Sequence, residues 1–345
     1  MTDRLRILHA IRSDGFAGVE QFVLRLAIAQ AADGHDVAVI GGATDRMRPG
    51  LDQAGVPHTP AARTIEVLRA VRHVGPGVDV VNTHMTAADV AAVAALPSRR
   101  RPRPALVATR HFAKPRGRLG PLPIATLLRG RIDAQIAISS SVAAAIDGPS
   151  TVVHPGIDPR PAGDGHRRDA TVLLAQRLEP EKHTHIGVRA FAASGLADDG
   201  WTLEVAGIGS QEAMLRELAR TLGIDRSVRF TGFRADLPAV MARAGLLFAP
   251  CPVEGFGLTL LEAMAGGLPV VAAAAGGHVE MLDGLDSRAL FTADDVKAAA
   301  SGIRSLATDE AGREALAIAA RARQQRDFSI RAQADGTEAA YRRVL

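Results

Sequence analysis

Two glutamates eight positions apart are the most informative pair of side chains in this chain. Glu254 and Glu262 lie within residues 250–280, PCPVEGFGLTLLEAMAGGLPVVAAAAGGHVE. Gly255 and Gly257 adjoin the first glutamate, and the apolar run after them predicts a helix that begins near Gly257. At about 3.6 residues per turn, Glu262 should lie about one and a half turns into that helix. Glu254 should stay on the preceding loop.

The elements around the two glutamates predict an anion site. A strand, a glycine-rich turn and a helix N-terminus together present free backbone N–H groups to a phosphate. The break at Gly266–Pro269 leads directly into a strand-like pair, Val270 and Val271. Carboxylates beside a bound phosphate would repel it unless they accept hydrogen bonds from ligand hydroxyls. A ligand that carries both diphosphate and hydroxyls is a sugar nucleotide.

This block resembles the paired-glutamate signature of retaining glycosyltransferases of family 4, which have the GT-B fold. The resemblance implies that Glu262 binds the ribose hydroxyls of the donor. It also implies that Glu254 lies at the reaction centre and binds the transferred sugar. The neighbouring positions that the resemblance assigns to the donor site are Phe256, Gly257, Leu258 and Thr259.

Two cations form a second motif in AQRLEPEKHTHIG, which resembles the family's Gly-Arg-Leu…Glu-Lys-Gly pattern. The guanidinium of Arg177 and the ammonium of Lys182 can neutralise the negative charge that a departing diphosphate gains. We therefore interpret both residues as catalytic. Gln176 and His183 stand where the family commonly has glycines.

Two histidines come at the ends of strand-like runs in the first half of the chain. His111 ends ALVATRH and resembles the family's Thr-x-His motif, which implies a catalytic position facing the donor sugar. His84, in VVNTHMTAADVAA, resembles a second recurrent histidine that lies nearer the acceptor. An isolated histidine is more often structural than catalytic, so both assignments depend on the resemblance.

Glycine-containing loops complete the donor-site prediction. Gly18, in GFAGVE, resembles the family's Gly-Gly-Ala/Val-Glu loop, where backbone approaches the diphosphate or sugar, although Ala17 replaces the first glycine. The Gly207-Ile208-Gly209 turn resembles the one beside the nucleotide. A dinucleotide-cofactor interpretation is disfavoured because the third glycine of that fingerprint is missing. Phe233 and Arg234 occupy the positions where the family's backbone meets the nucleobase.

The elements that must position these residues alternate between short β-rich runs and helical periods, which predicts parallel α/β layers. The first series has strands at 5–11, 36–40, 78–82, 106–109, 134–138 and 151–153. A Pro- and Gly-rich linker at 155–165 precedes a second series with strands at 171–175, 202–206, 228–231 and 246–249. We predict two Rossmann-like domains facing across a cleft: an acceptor-binding domain at 1–160 and a donor-binding domain at 161–328. In this family the last helix, here 329–345, crosses back to the first domain.

Charge is divided unequally between the two halves. The net charge is +4, and the Lys and Arg excess is concentrated in residues 1–160, where 20 basic residues face 13 acidic ones. Much of it lies between Arg99 and Arg131. This cluster is consistent with an anionic acceptor, with peripheral contact to an acidic membrane, or with a solvated face. Nucleic acid is disfavoured because the cluster has one aromatic residue, Phe112, and no binding motif.

Several classes of protein are disfavoured by what the sequence lacks. No run of about 18 apolar residues predicts a membrane span, and the N-terminus lacks a signal-peptide core. A single cysteine, Cys251, excludes a disulfide framework. No Asp-x-Asp pair and no metal-ligand spacing occurs. We therefore expect a cytoplasmic protein that needs no metal and no cofactor other than its nucleotide-sugar co-substrate. Association with the membrane surface stays open as an alternative.

The predicted function is a retaining, metal-independent glycosyltransferase of the hexosyl type. A UDP-sugar is the first expectation for the donor, from its frequency in the family, and GDP-mannose is the second. The acceptor could be a glycan, a lipid or a small metabolite. A sugar-nucleotide epimerase of the same architecture and a non-catalytic nucleotide-sugar-binding partner subunit stay open as alternatives. The presence of both glutamates, both cations and His111 favours an enzyme.

Overall fold

A computed structural model of the chain describes residues 4–97, 103–160 and 168–345. These residues form two units. The first consists of Met1–Gly156 together with Ile330–Leu345, and the second of Ile157–Ser329.

The first unit is built around a parallel sheet. Its strands are β1 Arg6–Ile11, β2 Asp36–Ile40, β3 His58–Thr59, β4 Val80–His84, β5 Ala105–Arg110, β6 Arg118–Leu119, β7 Leu122–Pro123, β8 Ala134–Ala137 and β9 Thr151–Val152. The sheet has the order β3-β2-β1-β4-β5-β8-β9, and β6 and β7 form a separate antiparallel pair. The central strands are buried along nearly their whole length, as expected for parallel strands covered on both faces.

Helices cover this sheet. They are α1 Gly18–Ala32, α2 Thr44–Gln53, α3 Thr64–Val74, α4 Thr86–Ala95, α5 Ile124–Leu128 and α6 Ser140–Ala145. Valines on α3 and alanines on α4 pack with Leu8, Val81 and Leu106 in one buried cluster. Because α4 presents alanines, it can lie close to the strands whose ends it follows. Ser139 caps α6, because its Oγ accepts a hydrogen bond from the Val142 N–H at the start of this helix.

The second unit repeats the same plan. Its strands are β10 Thr171–Ala175, β11 Thr202–Ala206, β12 Val228–Gly232, β13 Leu246–Ala249, β14 Val270–Ala273 and β15 Leu290–Phe291. Its helices are α7 Thr184–Ser194, α8 Glu212–Thr221, α9 Leu237–Arg243, α10 Leu258–Ala265, α11 Gly277–Leu282, α12 Val296–Thr308 and α13 Glu310–Asp327. The strands pair in parallel in the order β12-β11-β10-β13-β14-β15.

The last helix, α14 Ile330–Arg342, belongs to the first unit. Tyr341 on α14 is fully buried, and its hydroxyl accepts a hydrogen bond from Asn82 Nδ2 in β4 at 2.7 Å. Gln333 Oε1 accepts from the Gly156 N–H at 2.6 Å, where β9 has ended. The predicted return of the C-terminal helix to the first domain is therefore confirmed.

Both sheets reverse their strand order at one point, between β1 and β4 in the first unit and between β10 and β13 in the second. Open sheets of this type bind ligands beyond the carboxyl ends of the strands that flank such a point. The fold-class prediction of two Rossmann-like sheets is confirmed. The residues that follow these four strands are the candidates for function.

Two of the predicted boundaries differ from the observed ones by more than one residue. The first unit ends at Gly156 rather than at residue 160, and residues 161–167 of the predicted linker lie outside the described residues. The strand predicted at 78–82 is Val80–His84 instead. A short turn at Gly75–Gly77 delays its start, because the Val78 N–H still bonds to the Gly75 carbonyl. No helix formed by the described residues has the length and apolar character needed to cross a membrane.

Candidate active site

Lys182 and Glu254 meet at the strand-order reversal of the second unit. Lys182 follows β10 at the end of a single helical turn, Pro180–Lys182, and Glu254 lies on the loop between β13 and α10. The Lys182 Nζ donates a hydrogen bond to Glu254 Oε2 at 2.6 Å. The structure thus places two residues that we had assigned to the leaving group and the sugar in direct contact.

Both members of this pair are held in their charged forms. Burial acts to raise the pKa of the Glu254 carboxyl, but the charge and hydrogen bond of Lys182 outweigh it and lower that pKa. Burial acts to lower the pKa of Lys182, but the charge of Glu254 outweighs this effect, so the pKa of Lys182 is raised. The Lys182 and Glu254 side chains are 18% and 24% exposed. A ligand can therefore reach both charges.

The loop that carries Lys182 explains the two departures from the family pattern. Gln176 Nε2 donates to the Lys182 carbonyl at 2.8 Å and to Thr184 Oγ1 at 2.9 Å, so it ties the two ends of the loop together. His183 adopts a left-handed conformation with φ 49°. Glycine adopts that conformation most easily, which is a physical reason for a glycine at this position in other chains.

Arg177 does not take part in the Lys182–Glu254 contact. Its Nη2 donates to Glu181 Oε1 at 2.8 Å, and its side chain is 61% exposed. Gly207 and Gly209 hold the backbone beside it: a Cβ on Gly207 would lie 1.9 Å from the Gln176 carbonyl oxygen. The glycines predicted for the donor site thus have a structural task, because they let two strand-end loops pack together. Their contact with a donor stays a prediction.

Helix α10 begins where the sequence predicted. Gly257 precedes its first residue, with φ 102°. A Cβ on Gly257 would lie 2.9 Å from the His278 ring, so this position requires glycine for both its backbone and its neighbour. Leu258 and Thr259 form the partly buried start of the helix, whereas Phe256 is buried. The N–H groups of this first turn are available to an anion.

His278, which the sequence analysis missed, lies behind this turn. Its Nδ1 is 3.1 Å from the Ala273 carbonyl oxygen, so Nδ1 carries the proton and Nε2 keeps its lone pair. Burial lowers the pKa of His278, which keeps the ring neutral. The signal in the sequence was a histidine directly after two glycines that follow a buried strand.

Glu262 lies on α10, as predicted, and its partner was not foreseen. Arg160 Nη2 is 3.4 Å from Glu262 Oε1.

Phe233 and Arg234 follow β12. The ring of Phe233 is 63% exposed, and Arg234 donates to both oxygens of Asp236. An exposed ring and an adjacent tied arginine are compatible with a nucleobase that contacts mainly backbone.

Three histidines form a hydrogen-bonded line in the first unit. His111 Nε2 lies 3.0 Å from His84 Nδ1, and His84 Nε2 lies 3.1 Å from His9 Nδ1. The far nitrogen of His9 is 2.7 Å from Gln30 Oε1 on α1. We call this set the histidine line. Phe22 on α1 packs its ring edge-on against the His111 ring at 4.8 Å.

The polarity of the histidine line follows from the Gln30 carbonyl oxygen, which can only accept. His9 must then carry its proton on Nε2, and each following ring must do the same. Burial lowers the pKa of His9 to about 4 and, with a further contribution from Arg110, that of His111 to about 3. Burial also lowers the pKa of His84 well below its ordinary value. At neutral pH, His111 therefore presents an unprotonated Nδ1 that can accept a hydrogen bond from a hydroxyl.

His84 has a different position from the one predicted. It is fully buried, and both its ring nitrogens face other histidines. Direct contact with an acceptor is therefore inconsistent with the structure, and any effect of His84 on a ligand must pass through His111. His111 is 6% exposed and lines a cavity, so it keeps contact with the surface of the unit. The sequence signal for His9 was a polar residue inside an apolar strand.

The loop after β5 is held by a buried ion-pair network. Arg116 donates from Nε to Asp89 Oδ2 at 2.7 Å and from Nη1 to Asp147. Arg110 Nη1 also donates to Asp147, at 3.1 Å. This network uses part of the basic cluster that we had expected on the surface. Arg99, Arg100 and Arg101 lie outside the described residues, and contact of this region with an acidic membrane stays a prediction.

Gly18 begins α1, after the loop that follows β1. The Glu20 carboxylate turns back and accepts a hydrogen bond from the Ala17 N–H at 2.8 Å. The glutamate of this motif thus caps the helix, while the role of Gly18 toward a donor stays a prediction. The described residues contain no group of three or more His, Cys, Asp or Glu side chains positioned to bind a metal.

Comparison with known families covers nearly the whole chain. The profile described as Glycosyltransferase Family 4 matches residues 16–160. The profile described as Glycosyl transferases group 1 matches residues 162–323, which include both cations and both glutamates of the second unit.

Individual proteins are similar to this chain either over part of its length or over nearly all of it at lower sequence identity. The lipopolysaccharide core biosynthesis mannosyltransferase LpsB of Rhizobium meliloti is 30% identical over 62% of this chain and 67% of its own length. Glycogen synthase of Mycobacterium tuberculosis is 34% identical over 55% of this chain and 48% of its own, so the chain spans about half the length of that relative. The Anabaena protein Alr3699/HepE, solved in complex with UDP, has a TM-score of 0.78 at 22% identity, covering 97% of this chain and 99% of its own. That likeness shows the GT-B fold.

Proposed function

The chain belongs to glycosyltransferase family 4, and we propose that it transfers a sugar from a nucleotide-sugar donor to an acceptor hydroxyl, with retention and without a metal. The observation that carries this proposal is the contact between Lys182 and Glu254 at the β10/β13 reversal, beside the first turn of α10. A cation, a carboxylate and free N–H groups at one point suit a ligand with both diphosphate and sugar hydroxyls.

In the proposed reaction, the acceptor oxygen forms a bond to the anomeric carbon on the face from which the diphosphate departs. The bond from that carbon to the diphosphate oxygen breaks, and the acceptor proton passes to the departing oxygen. Lys182 exchanges its contact with Glu254 for the diphosphate. Glu254 is then free to bind a hydroxyl of the sugar, and Glu262 binds the ribose.

The proposed metal independence depends on which groups of the protein neutralise the charge of the leaving group. In this proposal Lys182 contacts the leaving group, and Arg177, which is close to it in sequence and has an exposed side chain, supplies a second cation. Rotation away from Glu181 would bring the Arg177 guanidinium to the diphosphate. Two cations and a helix N-terminus supply the positive charge that a divalent ion supplies in other enzymes.

For the donor we propose a UDP-sugar, with GDP-mannose as the second candidate. The frequency of UDP-sugars in the family supports the first choice, and the Anabaena structure solved with UDP-glucose agrees with it. The similarity to a mannosyltransferase supports keeping the second.

A thermal-shift panel tests the proposal at its base. UDP, GDP and ADP, each alone and as its sugar conjugate without added metal, should include one pair that raises the melting temperature. A chain that no nucleotide stabilises would contradict the proposal. The stabilising donor is then incubated with and without candidate acceptors, and nucleotide release that depends on the acceptor supports transfer. A changed donor sugar formed without acceptor would identify an epimerase instead.

A further inference from the structure

A cavity of about 460 Å³ opens at the carboxyl edge of the first unit's sheet. Arg12 follows β1, Met85 follows β4 and His111 follows β5, and all three line the cavity. β1 and β4 flank the strand-order reversal of this sheet, which is the expected position of a ligand. The proposed function places the donor's diphosphate in the second unit, so this cavity is available to another ligand.

The charges around the cavity have one sign. Its lining contains four cations, Arg12, Arg110, Lys114 and Arg116, and no acidic side chain among the described residues. Asp89 and Asp147 pair with the two buried arginines and leave an excess of two positive charges. The Arg116 Nη2 is enclosed without a hydrogen-bond partner among the described residues, so one donor of this guanidinium remains unsatisfied.

Two of these cations can contact a ligand directly. Arg12 and Lys114 are exposed, and neither forms an ion pair with a carboxylate among the described residues. The Lys114 Nζ lies 5.5 Å from the centre of the Phe112 ring, which also lines the cavity. The buried Arg110 and Arg116 contribute a positive electrostatic potential, and the exposed Arg12 and Lys114 can bind an anion directly.

The backbone adds to the same field. α3 and α4 both begin at the cavity, through Thr64 and Thr86, so two helix N-termini direct their partial positive charge toward it. The hydroxyls of these threonines can also bond to a polar ligand. Met85, between β4 and α4, has a φ of 71°, which is a strained backbone angle for a residue other than glycine.

We propose that this cavity binds the phosphate group of the acceptor, which is a phosphorylated polyol. In this arrangement Arg12 and Lys114 bind the phosphate, and the unprotonated Nδ1 of His111 accepts a hydrogen bond from a neighbouring hydroxyl of the same molecule. The inference rests on the proposed function, because it names the acceptor class of that reaction. A soluble phosphate ester and a phospholipid headgroup share this chemistry.

Calorimetric titration of the full chain with inorganic phosphate tests the binding step. Arg12→Gln and Lys114→Gln should each weaken phosphate binding about tenfold, the loss of one charge-assisted contact. Arg72→Gln is the matched control, because Arg72 is exposed on α3 and does not line the cavity. Equal affinity in all four proteins, or no binding by the wild type, would overturn the proposal.

A second measurement separates the two sources of phosphate. Co-sedimentation with phosphatidylglycerol vesicles, against phosphatidylcholine vesicles, should show recruitment that Arg12→Gln and Lys114→Gln abolish if the acceptor is a lipid. Absence of recruitment together with phosphate binding in solution identifies a soluble acceptor. Recruitment that Arg72→Gln weakens as much as the cavity variants do would show a general surface attraction and overturn the cavity assignment.

Failure of this inference can be told from failure of the proposed function. The nucleotide thermal shift should be the same in the wild type and in the Arg12→Gln, Lys114→Gln double variant, because both residues lie in the first unit. Nucleotide stabilisation without cavity-dependent phosphate binding overturns the inference alone. Cavity-dependent phosphate binding without any nucleotide effect overturns the proposed function.

Discussion

The same sheet order produces two electrostatically different sites in the two units. Lys182 and Glu254 lie beside the reversal of the second sheet as a charged pair. The histidine line lies beside the corresponding reversal of the first sheet, and its three rings are neutral at neutral pH because burial lowers their pKa values. Strand topology therefore specifies where function is placed, and not which kind of chemistry is present.

The difference follows from exposure. The Lys182 and Glu254 side chains are 18% and 24% exposed, so water and each other's charge sustain ionisation. His84 is 0% exposed and faces only rings, so a proton would bring an uncompensated charge into the interior. The Lys182–Glu254 pair is thus suited to neutralising an anion, and the histidine line to orienting a hydroxyl.

The largest effect should come from the charged pair. Lys182→Ala removes the cation expected at the diphosphate, and turnover should fall about a hundredfold or more, the scale of losing one transition-state charge contact. The measurement is nucleotide release under saturating donor. Lys297→Ala is the control, since Lys297 is exposed on α12 of the same unit. Near-normal turnover of Lys182→Ala would remove Lys182 from the mechanism.

A smaller effect should come from the histidine line. His84→Gln takes away the ring that orients His111, and we expect kcat to fall about tenfold with little change in the KM for donor, as for a lost general hydrogen-bonding partner. His9 acts through His84, so adding His9→Gln to His84→Gln should lower kcat little further. Additive losses in that double-variant cycle would contradict a line that acts as one positioning device.

The smallest effect should appear in the pH dependence of stability. Unfolded histidines bind protons below about pH 6.5, whereas His9 and His111 in the folded chain have pKa values of about 4 and about 3. The unfolded chain therefore binds more protons in this window, and stability should fall as pH drops from about 6.5 toward 4. Each such histidine contributes a slope of about 1.4 kcal/mol per pH unit.

Replacing one member of the histidine line isolates that contribution. Urea unfolding of His9→Gln between pH 6 and pH 5 should show a slope that is smaller by about one proton. A His9→Gln slope equal to that of the wild type would mean that His9 takes up a proton in the folded chain as well.

Much of the architecture could be predicted because its signals are local. Strands β2, β10, β11 and β13 have the predicted bounds, since short apolar runs between turns specify them. The segment 281–327, with α12 and α13, received no element from the sequence analysis, although its helices are long. Its alanine-rich sequence has no proline, and two of its glycines, Gly302 and Gly312, lie inside α12 and α13 instead of marking their ends.

The site was predicted residue by residue, and its contacts were not. The two glutamates, the two cations and His111 came from motifs that are each contiguous in sequence. The pairing of Lys182 with Glu254 joins positions 72 residues apart, and that of His9 with His84 joins positions 75 apart. Arg160, which contacts Glu262, and His278, which lies beside Gly257, received no role from the sequence.

The sequence by itself determined two α/β domains and the glutamate block with its helix. These depend on side-chain periodicity and on glycines that act within a few residues. Only the tertiary structure decided that Glu254 contacts Lys182 and that three histidines form the histidine line. The reason is that strand order places β10 beside β13 and β1 beside β4, and burial then determines which side chains keep their charge.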